Sequence, residues 1–336
     1  MTCKRKLILH WAEQGHIKTE DIQSALEASD ANPSNQEWLH FLKSSCLWLG
    51  ITAIAAAIIF FFAFNWQSIS TLTKFALLQG FMVFTTIAYL RVTPLERPST
   101  AITFLIAILT GALLALSGQI YQTGADPWQL FAIWALLITP FALLNHSSAL
   151  WILWILLINL ALLLYSQTFR GLFGFLFREE ELLGIFLLFN TLSAIAFEVM
   201  LQLKKPPLKN RYAPQLCLLI SGFIATWLAI WAIFDSSELQ WGGPVYLIWI
   251  GTVFYYYRHR QFDLFILSGC VGSGIVAISC CLINLLGDAM DGGAFLFISL
   301  IIIGLSTSGG MWLKKLSQIE NLPSTTVGNS AEEEQI

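Results

Sequence analysis

The chain has 336 residues, of which 56% are hydrophobic and only 12% charged, with a formal net charge of -3. An ordinary soluble domain carries about 25% charged residues, so a water-soluble globule is excluded. The slight net charge gives no basis for a nucleic-acid partner. Six cysteines, Cys3, Cys46, Cys217, Cys270, Cys280 and Cys281, form no CxxC pair and no spaced Cys/His set, so neither a metal nor another cofactor is expected.

Residues 1–44 are polar and charged, and the first apolar run begins near Ser45, too late for a secretory leader. Lys4 to Gln14 reads as a helix with Leu7 and Trp11 one turn apart and Gly15 as its C-cap. Thr19 reads as an N-cap leading Glu20 and Asp21 into a second helix, in which Ile22 and Leu26 share a face. Together they form a short cytosolic helical hairpin. Its second helix holds Glu20, Asp21 and Glu27 and no Lys or Arg, which argues against DNA binding. Docking on its own membrane domain or on a protein partner fits better. After a turn at Asn32 to Asn35, Trp38, Leu39, Phe41 and Leu42 read as an interfacial approach to the first span.

A bilayer core about 30 Å thick takes roughly 20 apolar residues to cross as a helix. Ten runs meet or approach that length: 45–64, 72–90, 100–118, 127–144, 148–165, 182–201, 214–234, 243–257, 262–286 and 293–313. The eighth is short and the ninth long. The expected fold is therefore all-α, a polytopic α-helical membrane protein with ten spans over residues 45–313 and the lipid bilayer as its main partner. Residues 314–336, ending in Glu332, Glu333 and Glu334, read as a disordered cytosolic tail. The segment Arg170 to Arg178 is too short to cross and is expected along the outer interface.

Basic residues set the orientation, because short cytoplasmic loops keep an excess of Lys and Arg. With ten spans and the N-terminus inside, only Lys74, Arg170 and Arg178 of the 18 basic residues fall outside. One span more or fewer would reverse the later loops and spoil that separation. Both termini are thus expected in the cytoplasm. Trp66, Trp128 and Trp241 fall at outer ends and Trp38, Trp151 and Trp312 at inner ends, where amphipathic rings settle.

Catalytic triads, paired carboxylates, phosphate-binding glycine loops and HExxH sites are absent as patterns, so no enzyme is expected. No span carries a charge at its centre. Lys74, Glu198 and Asp263 each lie within about a turn of an interface, where long side chains can snorkel, which argues against proton coupling. Gln79, Asn159, Asn190 and Asn284 are uncharged polar residues placed for interhelical hydrogen bonds. Ser268 with Gly272, Gly304 with Ser308, and Ser306 with Gly310 have the spacing of close helix contacts in the last two spans.

The stretch Gly111 to His146 reads as a membrane hairpin with a polar tip from Gln119 to Asp126, Pro127 at the start of its second arm and Pro140 inside that arm. Asp126 has a structural explanation as an N-cap ahead of Pro127. A sharper reading opens a polar cavity outward between this tip and the Asn65 to Ser70 loop. Asn65, Trp66, Gln119, Tyr121, Gln122 and Asp126 are then the candidate binding residues for a small neutral or lipid-like ligand. The competing reading is a membrane scaffold that recruits a protein partner through residues 1–44.

Three stretches carry a resemblance. They are the lead with Trp11, Gly15 and Ile17; the first span from Leu49 and Gly50 to Ala63, Phe64, Asn65 and Trp66; and the hairpin from Gly118, Gln119, Ile120 and Tyr121 through Gly124, Asp126 and Pro127 to Trp134, Ala135, Leu136 and Pro140. Over roughly residues 1–146 the chain resembles a bacterial family of predicted membrane proteins, domain of unknown function 2157. The resemblance implies a bacterial inner-membrane protein and no activity, and it carries over no functional residue.

Overall fold

The computed structural model describes residues 8, 11–12, 15–29, 35–65, 67–91, 97–122, 124–145, 147–168, 179–203, 210–234, 241–287 and 292–320. A 3-10 turn at Thr19–Asp21 leads into α1 (Ile22–Ala28). Then come α2 (Asn35–Phe64), α3 (Thr71–Leu90), α4 (Arg97–Tyr121), α5 (Pro127–Asn145) and α6 (Ser148–Thr168). The chain continues with α7 (Glu179–Leu201), α8 (Tyr212–Phe234), α9 (Gly242–His259), α10 (Leu264–Leu286) and α11 (Gly292–Glu320). It divides into two compact units, residues 1–60 with 318–336, and residues 61–317.

In the first unit, Gly15 takes the left-handed φ of 76° and closes a helix end. Its N–H donates to the Ala12 carbonyl at 3.1 Å and that of His16 to Trp11 at 2.9 Å, the paired bonds of a glycine-terminated helix. Ile8 and Leu26 are buried there, with Ile17, Ile22 and Ala25 packed around them. The shared face of Ile22 and Leu26 is as expected. Thr19 is not the N-cap, however: that position falls to Lys18, and Thr19 is the first residue of the 3-10 turn. The interfacial approach is also no separate element. Trp38 to Leu42 lie within α2, one helix of 30 residues that no proline interrupts.

In the second unit the helices are apolar on nearly every side. With backbone groups bonded within each helix, such a segment can sit in hydrocarbon, where no water is present to satisfy them. Leu72, Leu285 and Phe64 remain 80%, 84% and 89% exposed, and lipid rather than water is the solvent that such side chains tolerate. Nine described helices, α2 to α8 with α10 and α11, are long and apolar enough to cross a membrane.

The eighth expected span, α9, is helical but does not join those nine. Its 18 residues include Tyr246, Tyr255, Tyr256 and Tyr257 with three glycines and a proline, which lower its apolar character. Its neighbours show how far it reaches. Trp241 packs 3.3 Å from where a Cβ on Gly184 would stand, Trp249 Nε1 donates to Thr191 Oγ1 at 2.9 Å, and Tyr257 OH donates to Glu198 at 2.7 Å. Steps of seven residues along α7 thus meet steps of eight along α9. The two helices run parallel over about 21 Å at 1.5 Å per residue, so α9 reaches from one end of α7 nearly to the other.

Side-chain contacts join the other neighbours and give α4 to α8 alternating directions. Asn145 Nδ2 donates to Thr103 Oγ1, Trp154 Nε1 donates to Thr139 Oγ1 at 3.0 Å, and Trp134 Nε1 donates to the Ala107 carbonyl at 2.8 Å. Asn159 and Asn190 exchange amide hydrogen bonds of 3.1 and 2.7 Å, and Asn190 is fully buried. Asn284 donates to the Ile233 carbonyl at 2.8 Å. These are the interhelical bonds read from the sequence for Asn159, Asn190 and Asn284, whereas Gln79 faces outward. The small residues of the last two spans behave differently. Ser268, Gly272, Gly304, Ser306, Ser308 and Gly310 are all exposed, and the close approach is made by Gly309, where a Cβ would lie 2.8 Å from Val271. The last helix also continues to Glu320, past the expected start of the tail, and residues 321–336 lie outside the described ones. So does the Arg170 to Arg178 segment.

Candidate functional site

The ends of α2 and α4 with the turns that follow contain five described candidates from the sequence; Trp66 lies outside the described residues. Asn65 turns its amide back to the Phe61 carbonyl at 3.0 Å, satisfying the end of α2. Gln119, Tyr121 and Gln122 are exposed, and Gln122 takes a positive φ of 42° where the chain leaves α4. Tyr121 stacks at a tilt on Phe75, 5.9 Å between centroids, so the end of α4 and the start of α3 lie side by side. Pro127 opens α5 as expected. The Asp126 carboxylate does not cap it: among the described residues only its backbone carbonyl is engaged, accepting from Gln129 N at 3.0 Å. A fixed proline φ already starts the helix.

A second constellation sits at the opposite ends of α7 to α10. Glu198, in the last turn of α7, is 6% exposed. Arg211, one residue ahead of α8, donates from Nη2 to its two carboxylate oxygens at 2.7 and 2.9 Å, and Tyr257 OH donates to Oε1. The Arg211 guanidinium also stands 5.8 Å over the Tyr257 ring. Burial by itself lowers the Arg211 pKa, but the hydrogen bond and charge of Glu198, with the charge of Asp263, outweigh it and hold it above its ordinary value.

Asp263 continues the chain of contacts. Its Oδ1 accepts from Phe265 N at 3.0 Å and Ile266 N at 3.4 Å, capping α10. Its Oδ2 accepts from Gln215 Nε2 at 2.8 Å and lies 4.0 Å from Arg211 Nε. A continuous polar path therefore runs Glu198, Arg211, Asp263, Gln215. It ends at a cleft.

That cleft, about 840 Å³, lies between α8 and α10 and is backed by Trp249 and Val253 of α9. Its lining runs from Gln215 to Ile230 on α8, about 22 Å of helix at 1.5 Å per residue. The rim residues Phe223, Trp227 and Phe265 are more than half exposed, so the cleft opens on the side that faces lipid. Part way along, Thr226 Oγ1 lies 2.7 Å from Ser273 Oγ, which lies 2.9 Å from Tyr246 OH, and Thr226 donates to the Gly222 carbonyl. Ser268 also lines it, its hydroxyl donating to the Phe265 carbonyl at 2.7 Å, and the remainder is apolar. A mostly apolar wall with a few placed polar groups is the lining that small-molecule pockets share.

Sequence reading noticed Glu198 and Asp263 only as interfacial charges, and it did not single out Arg211, Gln215, Thr226 or Ser273. The usable signal was the acid in the last turn of one span with an arginine just ahead of the next.

Among the curated proteins and among the solved structures, nothing matches this chain. Residues 9–151 match the model of a family described as predicted membrane protein, domain of unknown function 2157. The match takes in the lead and helices α1 to α5 and stops just inside α6, so every residue of the cleft and of the ion cluster lies beyond it. Over residues 9–151 the chain is therefore similar to that family of predicted membrane proteins.

Proposed function

We propose that this membrane protein is a non-enzymatic binder of a lipid-like amphiphile, held in the cleft between α8, α9 and α10. The observation that carries the reading is the cleft itself: about 22 Å of apolar wall, open toward lipid, with its polar groups at one end and midway. A small neutral solute would leave most of that wall in contact with nothing. The outer residues Asn65, Trp66, Gln119, Tyr121, Gln122 and Asp126 then serve as a surface where solutes approach rather than as the binding cavity.

Gly269 gives a direct test. It lines the cleft, and a Cβ added there would meet nothing within 4 Å. Native mass spectrometry from mild detergent is expected to show a lipid-sized adduct on the wild-type chain and none on Gly269→Phe, with the helical circular-dichroism signal unchanged. An adduct that survives the substitution overturns the site.

The proposed setting is a bacterial inner membrane, with all ten helices α2 to α11 crossing and both termini in the cytoplasm. The parallel course of α7 and α9 supports the tenth crossing. Reporter fusions after Lys205 and after Lys315 are expected to read as cytoplasmic. An external reading at either site removes the orientation and moves the ion cluster to the other leaflet.

A further inference from the structure

Given the amphiphile reading above, on which this step rests, the polarity of its head group follows from one amide. Gln215 stands at the end of the cleft in the first turn of α8. Its nitrogen is turned to Asp263, to which it donates at 2.8 Å. Asp263 is itself fixed, because its other oxygen caps α10. The amide cannot rotate without placing its oxygen against a carboxylate. Its own carbonyl oxygen and its second N–H have no hydrogen-bond partner among the described residues, so the group left for a ligand is an acceptor beside one donor, a pair that a hydroxyl can fill by donating and accepting at once. Among the described residues, the charges bonded in this cluster, Glu198, Asp263 and Arg211, leave it one negative charge in excess.

We infer that Gln215 selects an uncharged, hydroxyl-bearing head group on an aliphatic chain, of the monoacylglycerol class, and that Asp263 is the positioning residue that sets this preference. A phosphate diester has no proton to donate to Gln215 Oε1 and would meet the negative excess. A glycerol hydroxyl donates and carries no charge. The chain of the same molecule lies along the wall from Leu219 to Ile230, beside the hydroxyls of Thr226 and Ser273.

Asp263→Asn reverses the logic without removing the cap. The carbonyl of the substituted side chain would keep accepting from Phe265 N and Ile266 N, and its amide nitrogen would face Gln215. The glutamine amide then turns over and offers the cleft a donor, while the cluster loses its excess charge.

The test uses the full chain reconstituted in nanodiscs and two photoreactive probes with the same diazirine-bearing chain, a monoacylglycerol and an alkyl methyl phosphate, which is an anionic diester without a hydroxyl. Labelled peptides are read by mass spectrometry. On the wild type, the monoacylglycerol is expected to label the stretch of Phe223 to Trp227 about five-fold more than the alkyl methyl phosphate does, the worth of roughly one hydrogen bond. Gln215→Leu is expected to erase the difference, and Asp263→Asn to reverse it. Equal labelling of the cleft by both probes, or a preference that survives both substitutions, overturns the head-group inference and leaves the cleft standing. Labelling of the cleft by neither probe above the level on α3 overturns the binding reading itself. Because Asp263→Asn predicts a gain for one probe, a misfolded variant cannot imitate the expected result.

Discussion

Arg211→Ala is expected to destabilise the α7 to α10 region by about 3 kcal/mol, measured by reversible denaturation in mixed micelles. Removing the arginine leaves the Glu198 carboxylate, 6% exposed, with Tyr257 OH as its remaining bonded partner among the described residues. Breaking a buried pair from one side costs about 3 to 5 kcal/mol because the surviving charge stays out of water. The lower end applies because the Arg211 side chain is 29% exposed and water can reach the gap. Glu198→Leu combined with Arg211→Leu removes both charges and is expected to recover most of the loss. If the double variant is as unstable as the single one, packing and not charge holds these helices. The pKa of Arg211 is raised in the folded chain, so its contribution is fully present below the ordinary arginine value and fades only above it.

Gly111→Ala is expected to be the most damaging single-carbon addition, at about 2 kcal/mol net. A Cβ there would stand 2.3 Å from the Trp134 ring, whose Nε1 donates to the carbonyl of Ala107 one turn earlier in α4. Alanine gains about 1 kcal/mol over glycine in a helix, but overpacking costs about 1 to 3 kcal/mol and the displaced indole loses a hydrogen bond worth about 1 more. The clash therefore wins. Trp134→Phe, which keeps an aromatic ring and loses the bond, should cost about 1 kcal/mol. Trp134→Leu should relieve Gly111→Ala in a double-mutant cycle, and additive losses would show that the two residues do not share this contact.

Helix existence and solvent were legible in the sequence because they depend on local composition over about 20 residues. The same holds for Asn159, Asn190 and Asn284, since an amide inside an apolar run must find a partner on another helix. Which partners meet was not legible. Arg211 and Glu198 are 13 residues apart, but Gln215 and Asp263 are 48 apart, and only the parallel course of α8 and α10 brings them together. Small-residue spacing misled for a related reason. Ser306 with Gly310 fits a contact stripe, but the face that meets α10 is the one centred on Gly309. Asp126 shows the opposite limit, a residue with a sufficient local explanation that the folded chain does not use.

The ladder along α7 bears on how this chain is made. Trp249 and Tyr257 of α9, with Trp241 just ahead of it, stay off lipid by lodging against Thr191, Glu198 and Gly184. Outside that company α9 would present polar rings and a terminal arginine to hydrocarbon, and insertion machinery that weighs segments one at a time would favour it weakly. As the proposed tenth crossing, α9 would enter together with the helices before and after it, and biogenesis of this half would then proceed by cohorts rather than by single segments.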